Sequence, residues 1–255
     1  MEKVAEYAER LQIVERMPRS LSMALGAGET TLLRLTTAYA MLVNGGKHIT
    51  PTLIDRIQDR HGRTVIRHDK RTCTGCRATH WTGQSVPTVP DTRESVTDPG
   101  SAYQIVSILQ GVVERGTGKR IKAVGKPLAG KTGTTNDSID TWFVGFSPDL
   151  AVGVFAGFDT PRTLGRSEQG ASVAAPIFRD FMAEALAGRP SIPFRIPPGI
   201  RLVRVNAGTG ALAQPGERNV IFEAFKPGTV PTGPGEVLQG FGAGGDSATG
   251  TGGLY

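Results

Sequence analysis

A lysine and three threonines are interleaved with glycines in Gly130-Lys-Thr-Gly-Thr-Thr135, which places a cation and several hydroxyl groups beside bare backbone. On a strand, Lys131 would supply a positive field for an anion, and Thr132 and Thr134 would donate hydroxyl hydrogens to it. Gly133 has no side chain, so an extended ligand could lie against the strand there. These four residues form the candidate binding site.

The same residues fit a second pattern, because 125–132 matches G-x-x-x-x-G-K-T, the phosphate loop of nucleotide-binding proteins. Such a loop follows a buried strand and opens a helix. Here residues 119–122 are charged, and β-branched threonines with an Asn-Asp pair follow Thr132, which favours a short strand and a turn. A nucleotide binder is therefore a distant alternative. The simplest alternative interpretation of these residues is a Gly-rich turn with an exposed lysine.

Composition bounds the class of protein. The chain has 255 residues, 38% of them hydrophobic, enough for one core with appendages. Its net charge of +6 is spread along the chain and not gathered with aromatic residues, so no nucleic-acid partner is expected. No apolar run approaches the roughly 18 residues of a membrane span, and the first residues form a charged amphipathic segment, not a signal peptide.

Two cysteines, Cys73 and Cys76, are separated by two residues. A disulfide is the favoured interpretation if the compartment is oxidising. Zinc would need His68 and His80 as further ligands, at spacings unlike a standard finger, and a redox motif would normally open a helix. We expect neither a metal nor a cofactor.

Periodicity and caps predict four helices, at 1–16, 30–43, 98 to about 115, and 174–186. In the third, Asp98 is the cap and Pro99 is the first helical residue. Alternation predicts a two-stranded hairpin within 49–68, strands at 141–146 and 150–158, and an edge strand at 201–205. The predicted buried stripes are Val4, Tyr7, Ala8, Leu11 and Val14; Leu32, Leu35, Tyr39 and Leu42; Ile105, Val106, Leu109 and Val113; and Ile177, Phe178, Phe181 and Ala185.

The predicted organisation has three parts. Residues 1–190 form the main domain, which includes a β-excursion and loop at 49–97. Residues 191–225 form a Pro-rich linker and a small β-hairpin around 206–210. Residues 226–255 form a Gly- and Pro-rich disordered tail. The fold class is α+β, an antiparallel sheet flanked by helices.

Five motifs together resemble the transpeptidase domain of bifunctional (class A) penicillin-binding proteins, across residues 1–225: Leu25-Gly-Ala-Gly-Glu29, Ala38-Tyr-Ala-Met-Leu-Val-Asn-Gly-Gly46, Arg115-Gly-Thr-Gly118, Gly130-Lys-Thr-Gly-Thr-Thr135 and Trp142-Phe-Val-Gly-Phe-Ser-Pro-Asp149. The resemblance implies the penicillin-binding/serine β-lactamase-like fold. It also implies a serine acyltransferase that cross-links peptidoglycan stem peptides ending in D-Ala-D-Ala and is acylated by β-lactams. The parent family is membrane-anchored at the periplasmic face of the inner membrane.

The resemblance also implies roles for individual residues. Lys131, Thr132, Gly133 and Thr134 would bind the substrate carboxylate and peptide. The backbone N–H of Thr134 would form half of an oxyanion hole, so Lys131 and Thr134 are the predicted catalytic residues.

The sequence departs from the family in one respect. The family's S-x-x-K nucleophile and S-x-N relay motifs do not occur at any serine of this chain. The chain therefore resembles the carboxy-terminal portion of a longer protein, with the amino-terminal part of the fold missing. We expect it to be inactive alone and to form no acyl-enzyme with a penicillin. A catalytically inactive peptidoglycan-binding or interaction module is the alternative.

Overall fold

The computed structural model describes residues 1–76, 78–80 and 82–231. The helices are α1 (Glu2–Arg10), α2 (Leu32–Val43), α3 (Pro99–Arg115) and α4 (Ala174–Ala185), with short 3-10 turns at Leu21–Leu25, Lys119–Val124 and Asn136–Ser138. The strands are β1 (Arg56–Gln58), β2 (Thr64–Arg67), β3 (Ala129–Thr134), β4 (Thr141–Phe146), β5 (Ala151–Ala156), β6 (Arg201–Asn206) and β7 (Val220–Phe225). Among the described helices, none is long and apolar enough to cross a membrane.

The central element is an antiparallel sheet in the order β3-β4-β5, with β1-β2 and β6-β7 as separate two-stranded sheets. Strand β4 lies in the middle because Ser147-Pro-Asp149 turns the chain tightly into β5, and the hydroxyl of Ser147 accepts the Leu150 N–H at 3.1 Å. Strand β3 lies at one edge, with Lys131 opposite Val144 and Gly133 opposite Trp142. The predicted α+β fold class is confirmed.

One face of the sheet is closed by α4. Gly130 and Gly145 lie opposite each other, and a Cβ at either position would come within 2.7 Å of the Phe143 ring. The two glycines therefore let this ring lie across the strands, where it packs on Phe178 of α4 at a centroid distance of 4.6 Å. The core on this face comprises Val113, Ile121, Leu128, Phe143, Ala174, Ala175, Phe178, Met182 and Leu186.

The other face is covered by α2 and α3. Gly153 of β5 allows α2 to approach, since a Cβ there would lie 2.8 Å from Leu32. Phe146 contacts Phe194 edge-on at 5.7 Å, so the segment after residue 190 takes part in the core. The second cluster consists of Val106, Leu109, Ala129, Phe146 and Phe194.

Several predicted helical faces are wrong in detail. Helix α1 ends at Arg10 and not at residue 16, because Gln12 has a left-handed backbone with φ of 56°. In α4 the buried row is Ala174, Phe178 and Met182, while Ile177 and Phe181 are each 51% exposed. In α3 three of the four predicted residues, Val106, Leu109 and Val113, are buried, whereas Ile105 is 41% exposed. The buried residues of the first two helices are Ala5 of α1 and Thr37, Ala38 and Met41 of α2, none of which was predicted.

The predicted hairpin around 206–210 is present as a short pairing, but the main partner of β6 was not predicted. Strand β6 pairs along its length with β7, and residues 211–213 contribute only the bridge from Leu212 to Val205 and neighbouring bonds. The β6-β7 pair is attached to α3, because Gln104 donates to the Ala224 carbonyl at 2.9 Å and Arg115 pairs with Glu223 at 2.8 Å. The predicted boundary between 190 and 191 stays a prediction.

Other predictions are confirmed. Strand β4 has its predicted bounds, and Asp98 caps α3 by accepting the Ser101 N–H at 2.9 Å. Cys73 and Cys76 form a disulfide with Cα atoms 5.6 Å apart. The excursion at 49–97 contains the β1-β2 hairpin, and the bridge between Lys47 and Ser95 joins its two ends. Most of the predicted disordered tail, 232–255, lies outside the described residues.

Candidate functional site

The Lys-Thr-Gly motif lies inside strand β3, at the edge of the sheet. Lys131, Thr132 and Gly133 pair in unbroken antiparallel register with β4. A phosphate loop requires the lysine at the start of a helix. In this structure the motif runs on into the Asn136–Ser138 turn and β4, so the geometry of the nucleotide-binding alternative is absent.

Lys131 is a half-buried cation on the face of the sheet that α2 and α3 partly cover. Its Nζ donates to the neighbouring Thr132 carbonyl at 3.1 Å, which leaves two ammonium hydrogens for other acceptors. Among the ion pairs within residues 1–76, 78–80 and 82–231, none includes Lys131. Burial lowers the pKa of its ammonium group because a desolvated charge is disfavoured. An incoming anion would compensate that charge.

Thr132 is joined to the loop that follows α3. Its Oγ1 lies 3.0 Å from the Oγ1 of Thr117, so the two hydroxyls share a hydrogen bond. Thr117 belongs to the Arg115-Gly-Thr-Gly118 motif, which the sequence singled out without placing it at the site. A hydroxyl has one hydrogen and two lone pairs, so this pair can still bond to a ligand.

Thr134 and Gly133 contact a loop that the sequence did not connect with the site. The Gly170 N–H donates to Thr134 Oγ1 at 3.0 Å, which leaves the threonine hydrogen free to donate. A Cβ at Gly170 would lie 2.5 Å from the Gly133 carbonyl oxygen, so only glycine permits this approach. The spacing of 36 residues explains why periodicity could not reveal the contact.

An aromatic pair lies beside the motif on the face of Lys131. Trp142 is the cross-strand partner of Gly133, and Phe155 of β5 is the partner of Trp142. Their ring centroids are 4.8 Å apart, and Phe155 is 43% exposed. A ligand seated against Gly133 would therefore meet Lys131 on one side and an indole on the other.

Comparison with known families identifies this arrangement. The family model described as the penicillin binding protein transpeptidase domain matches residues 15–183, which include α2, α3 and the whole β3-β4-β5 sheet. The chain belongs to the penicillin-binding protein transpeptidase family. The family predicted from the five motifs is confirmed.

Individual penicillin-binding proteins agree with this assignment. Penicillin-binding protein 1A of Rickettsia bellii is 44% identical over 226 residues, which are 88% of this chain and 28% of that protein. Penicillin-binding protein 1A of Neisseria lactamica is 42% identical over 185 residues, 72% of this chain and 21% of that protein. The chain thus spans less than a third of the length of these relatives.

The fold agrees with a solved penicillin-binding protein as well. The crystal structure of penicillin-binding protein 1A from Haemophilus influenzae superposes with a TM-score of 0.73 at 29% identity, and the match covers 89% of this chain and 37% of that one. The structural match therefore extends well past the 15–183 region of the family model.

Proposed function

We propose that this chain supplies the substrate-binding strand of a peptidoglycan D,D-transpeptidase. In this proposal Lys131, Thr132, Gly133 and Thr134 hold a stem peptide that ends in D-Ala-D-Ala while a serine is acylated. β-Lactams would occupy the same strand. The parent protein would act at the periplasmic face of the inner membrane, in cell-wall synthesis.

One observation carries the proposal: Lys131 is a half-buried cation on an edge strand and lacks a carboxylate partner among the described ion pairs. An ammonium group in that position favours a carboxylate, which restores the electrostatic interactions lost on burial. The terminal carboxylate of D-Ala-D-Ala and that of a penicillin both meet this requirement.

The neighbouring groups would orient the peptide. The Thr117–Thr132 hydroxyl pair has one hydrogen left to donate to the carboxylate, and Thr134 has another. Gly133 lets the peptide add as a further strand. The Thr134 N–H would stabilise the oxyanion that forms when a serine Oγ attacks the penultimate D-Ala carbonyl and D-Ala leaves. One such donor contributes typically about 3 kcal/mol of barrier lowering.

The nucleophile and the proton relay are not supplied by any serine motif of these 255 residues. The proposed chemistry therefore requires S-x-x-K and S-x-N groups from outside them. We expect no mass increase when the 255-residue chain is incubated with benzylpenicillin and examined by intact-mass spectrometry. An adduct of one antibiotic molecule would contradict this division of roles.

A chimera tests the binding role directly. This chain would replace the aligned segment of the Rickettsia bellii relative, and labelling by a fluorescent penicillin would be followed in time. Lys131→Met should slow labelling by about 100-fold, the cost typical of losing one preorganised polar contact. Lys122→Met, the same substitution at an exposed lysine, serves as the control.

Two results would count against the transpeptidase role. Equal labelling rates for the Lys131→Met and Lys122→Met chimeras would remove Lys131 from the site. A chimera that melts cooperatively but takes no label, while the parent relative does, would favour the inactive peptidoglycan-binding module.

A further inference from the structure

A groove of about 650 Å³ lies in the excursion, residues 49–97, at its junction with the body of the chain. Three chain segments form its walls, and they are far apart in sequence. Its lining residues are His48, Ile49 and Thr50; His68, Asp69, Lys70, Arg71 and Thr72; and Pro90, Thr92 and Arg93. It shares no lining residue with the Lys-Thr-Gly strand.

The same local structure occurs twice around this groove, as Asp69-Lys-Arg71 and Asp91-Thr-Arg93. In the first, the aspartate accepts the arginine backbone N–H at 3.0 Å, Nε at 2.9 Å and Nη2 at 2.7 Å. In the second, the corresponding distances are 3.2, 2.8 and 3.0 Å. Each carboxylate therefore fixes one edge of a guanidinium group two residues later.

Fixing one edge leaves the other edge of each guanidinium available. An arginine has five N–H donors, and two are used by its own aspartate, so three remain on each side chain. Arg71 and Arg93 keep 35% and 36% of their side-chain surface exposed. Because both side chains are already held in place, less conformational entropy would be lost when they bind a ligand.

The surrounding charge is positive. Lys70 lines the groove, Arg67 acts electrostatically on Asp69, and Lys47 acts on Asp91. Together with Arg71 and Arg93, five cations surround two carboxylates. The hydrogen bond to Asp69 raises the pKa of Arg71, and the charge of Asp91 adds to that rise, consistent with both Asp-x-Arg units lining one groove.

We propose that this groove binds a phosphoryl group through the outer edges of Arg71 and Arg93 and the ammonium group of Lys70. A tetrahedral dianion has oxygens pointing in several directions, and here donors come from two separate segments. A planar carboxylate accepts two parallel hydrogen bonds from one guanidinium. It therefore fits donors that come from two separate segments less well than a phosphoryl group does. The phosphoryl group belongs either to a soluble phosphate ester or to a phospholipid headgroup.

Calorimetric titration of the 255-residue chain with inorganic pyrophosphate at low salt tests the site. Succinate, a dicarboxylate, is the comparison ligand and should bind at least about tenfold more weakly, equivalent to about 1.4 kcal/mol. Equal affinity for the two, or no saturable heat with pyrophosphate, would overturn the proposal. This comparison needs no variant and so does not depend on how a substitution folds.

Substitutions then separate geometry from charge. Arg71→Lys and Arg93→Lys keep the charge but remove the fork, and each should weaken pyrophosphate binding about tenfold. Arg63→Lys is the control, because Asp59 also accepts the backbone N–H and the Nε of this arginine, at 3.0 and 2.9 Å, but Arg63 lies outside the groove. Equal losses in all three variants would overturn the assignment.

A vesicle experiment identifies the source of the phosphoryl group. If the headgroup of an anionic phospholipid is the ligand, the chain sediments with phosphatidylglycerol vesicles and Lys70→Gln reduces the bound fraction, whereas Lys119→Gln does not. If a soluble ester is the ligand, pyrophosphate binding depends on Lys70 and vesicles do not retain the chain. If the chain binds both pyrophosphate and vesicles and Lys70→Gln weakens neither interaction, the proposed site is wrong.

Discussion

Strand β4 of the central sheet has five of its six residues buried, whereas every residue of β1 and β2 in the excursion is exposed. The sheet is held by aromatic rings that fit against glycines. The excursion is held by ion pairs, side-chain turns and the disulfide between Cys73 and Cys76. The chain thus joins two regions stabilised by different forces.

The two regions also present cations differently. Lys131 is half-buried on the sheet and has no described carboxylate partner, whereas Arg71 and Arg93 are each held by an aspartate in the excursion. A rigid strand can hold one uncompensated charge because its backbone is fixed by neighbours. A loop without a core requires local carboxylates to fix its side chains, which lowers the net charge that it offers.

The largest expected effect tests the packing of the sheet. Phe178→Ala should lower the free energy of unfolding by about 3–5 kcal/mol, because Phe178 is fully buried and its loss leaves a cavity. Phe181→Ala on the same helix and Ile66→Ala in the excursion should each cost less than about 1 kcal/mol, since both side chains are more than half exposed. Urea denaturation measures all three, and similar losses would remove the distinction between the regions.

The next largest effects are expected from replacing one glycine in each region by alanine. Gly145→Ala should cost about 1–3 kcal/mol of overpacking, because the new Cβ would lie 2.7 Å from the Phe143 ring and 2.9 Å from Phe178. Gly62→Ala, in the hairpin turn, meets nothing within 4 Å, but its φ of 79° should cost about 1–2 kcal/mol of backbone strain. Denaturation of the whole chain should detect the loss of stability in Gly145→Ala. The loss in Gly62→Ala should appear as faster amide exchange that is confined to β1 and β2. Exchange that spreads to β4 in Gly62→Ala would contradict independent stabilisation.

The sequence predicted the parts that depend on local chemistry. The cap at Asp98, the bounds of β4 and the placement of Lys131 on a strand follow from residue types within a few positions. The missed features depend on distant contacts. Periodicity could not determine which side of α4 meets the sheet, and it gave no reason to pair 220–225 with 201–206 or to bring Gly170 onto Gly133.

A smaller effect concerns the charge of Lys131. Burial lowers its folded pKa below the ordinary value of 10.5, so between these two values the unfolded chain binds more protons. The free energy of unfolding should therefore rise with pH through that window, by a small amount because solvent partly screens this half-buried group. Lys131→Met should remove the rise, while Lys122→Met should keep it. A pH profile between 8 and 11 that is the same in both variants would show that Lys131 is not desolvated.

The smallest effect should appear only in the excursion. The hydrogen bond from the Arg93 side chain lowers the pKa of Asp91 to about 2, although 38% of the carboxylate side chain is exposed. Since the folded pKa is depressed, this contribution is present above the ordinary pKa of about 3.9 and is lost as the pH falls through about 2. Relative to the intrinsic rate at each pH, amide exchange near residues 91–93 should accelerate over that window in the parent chain but not in Asp91→Asn, and 0.5 M salt should reduce the difference because exposed pairs are screened. Amides of β4 should show no such change, because packing against Phe178 does not titrate. An equal acid response in both regions would mean that carboxylates stabilise the sheet as well.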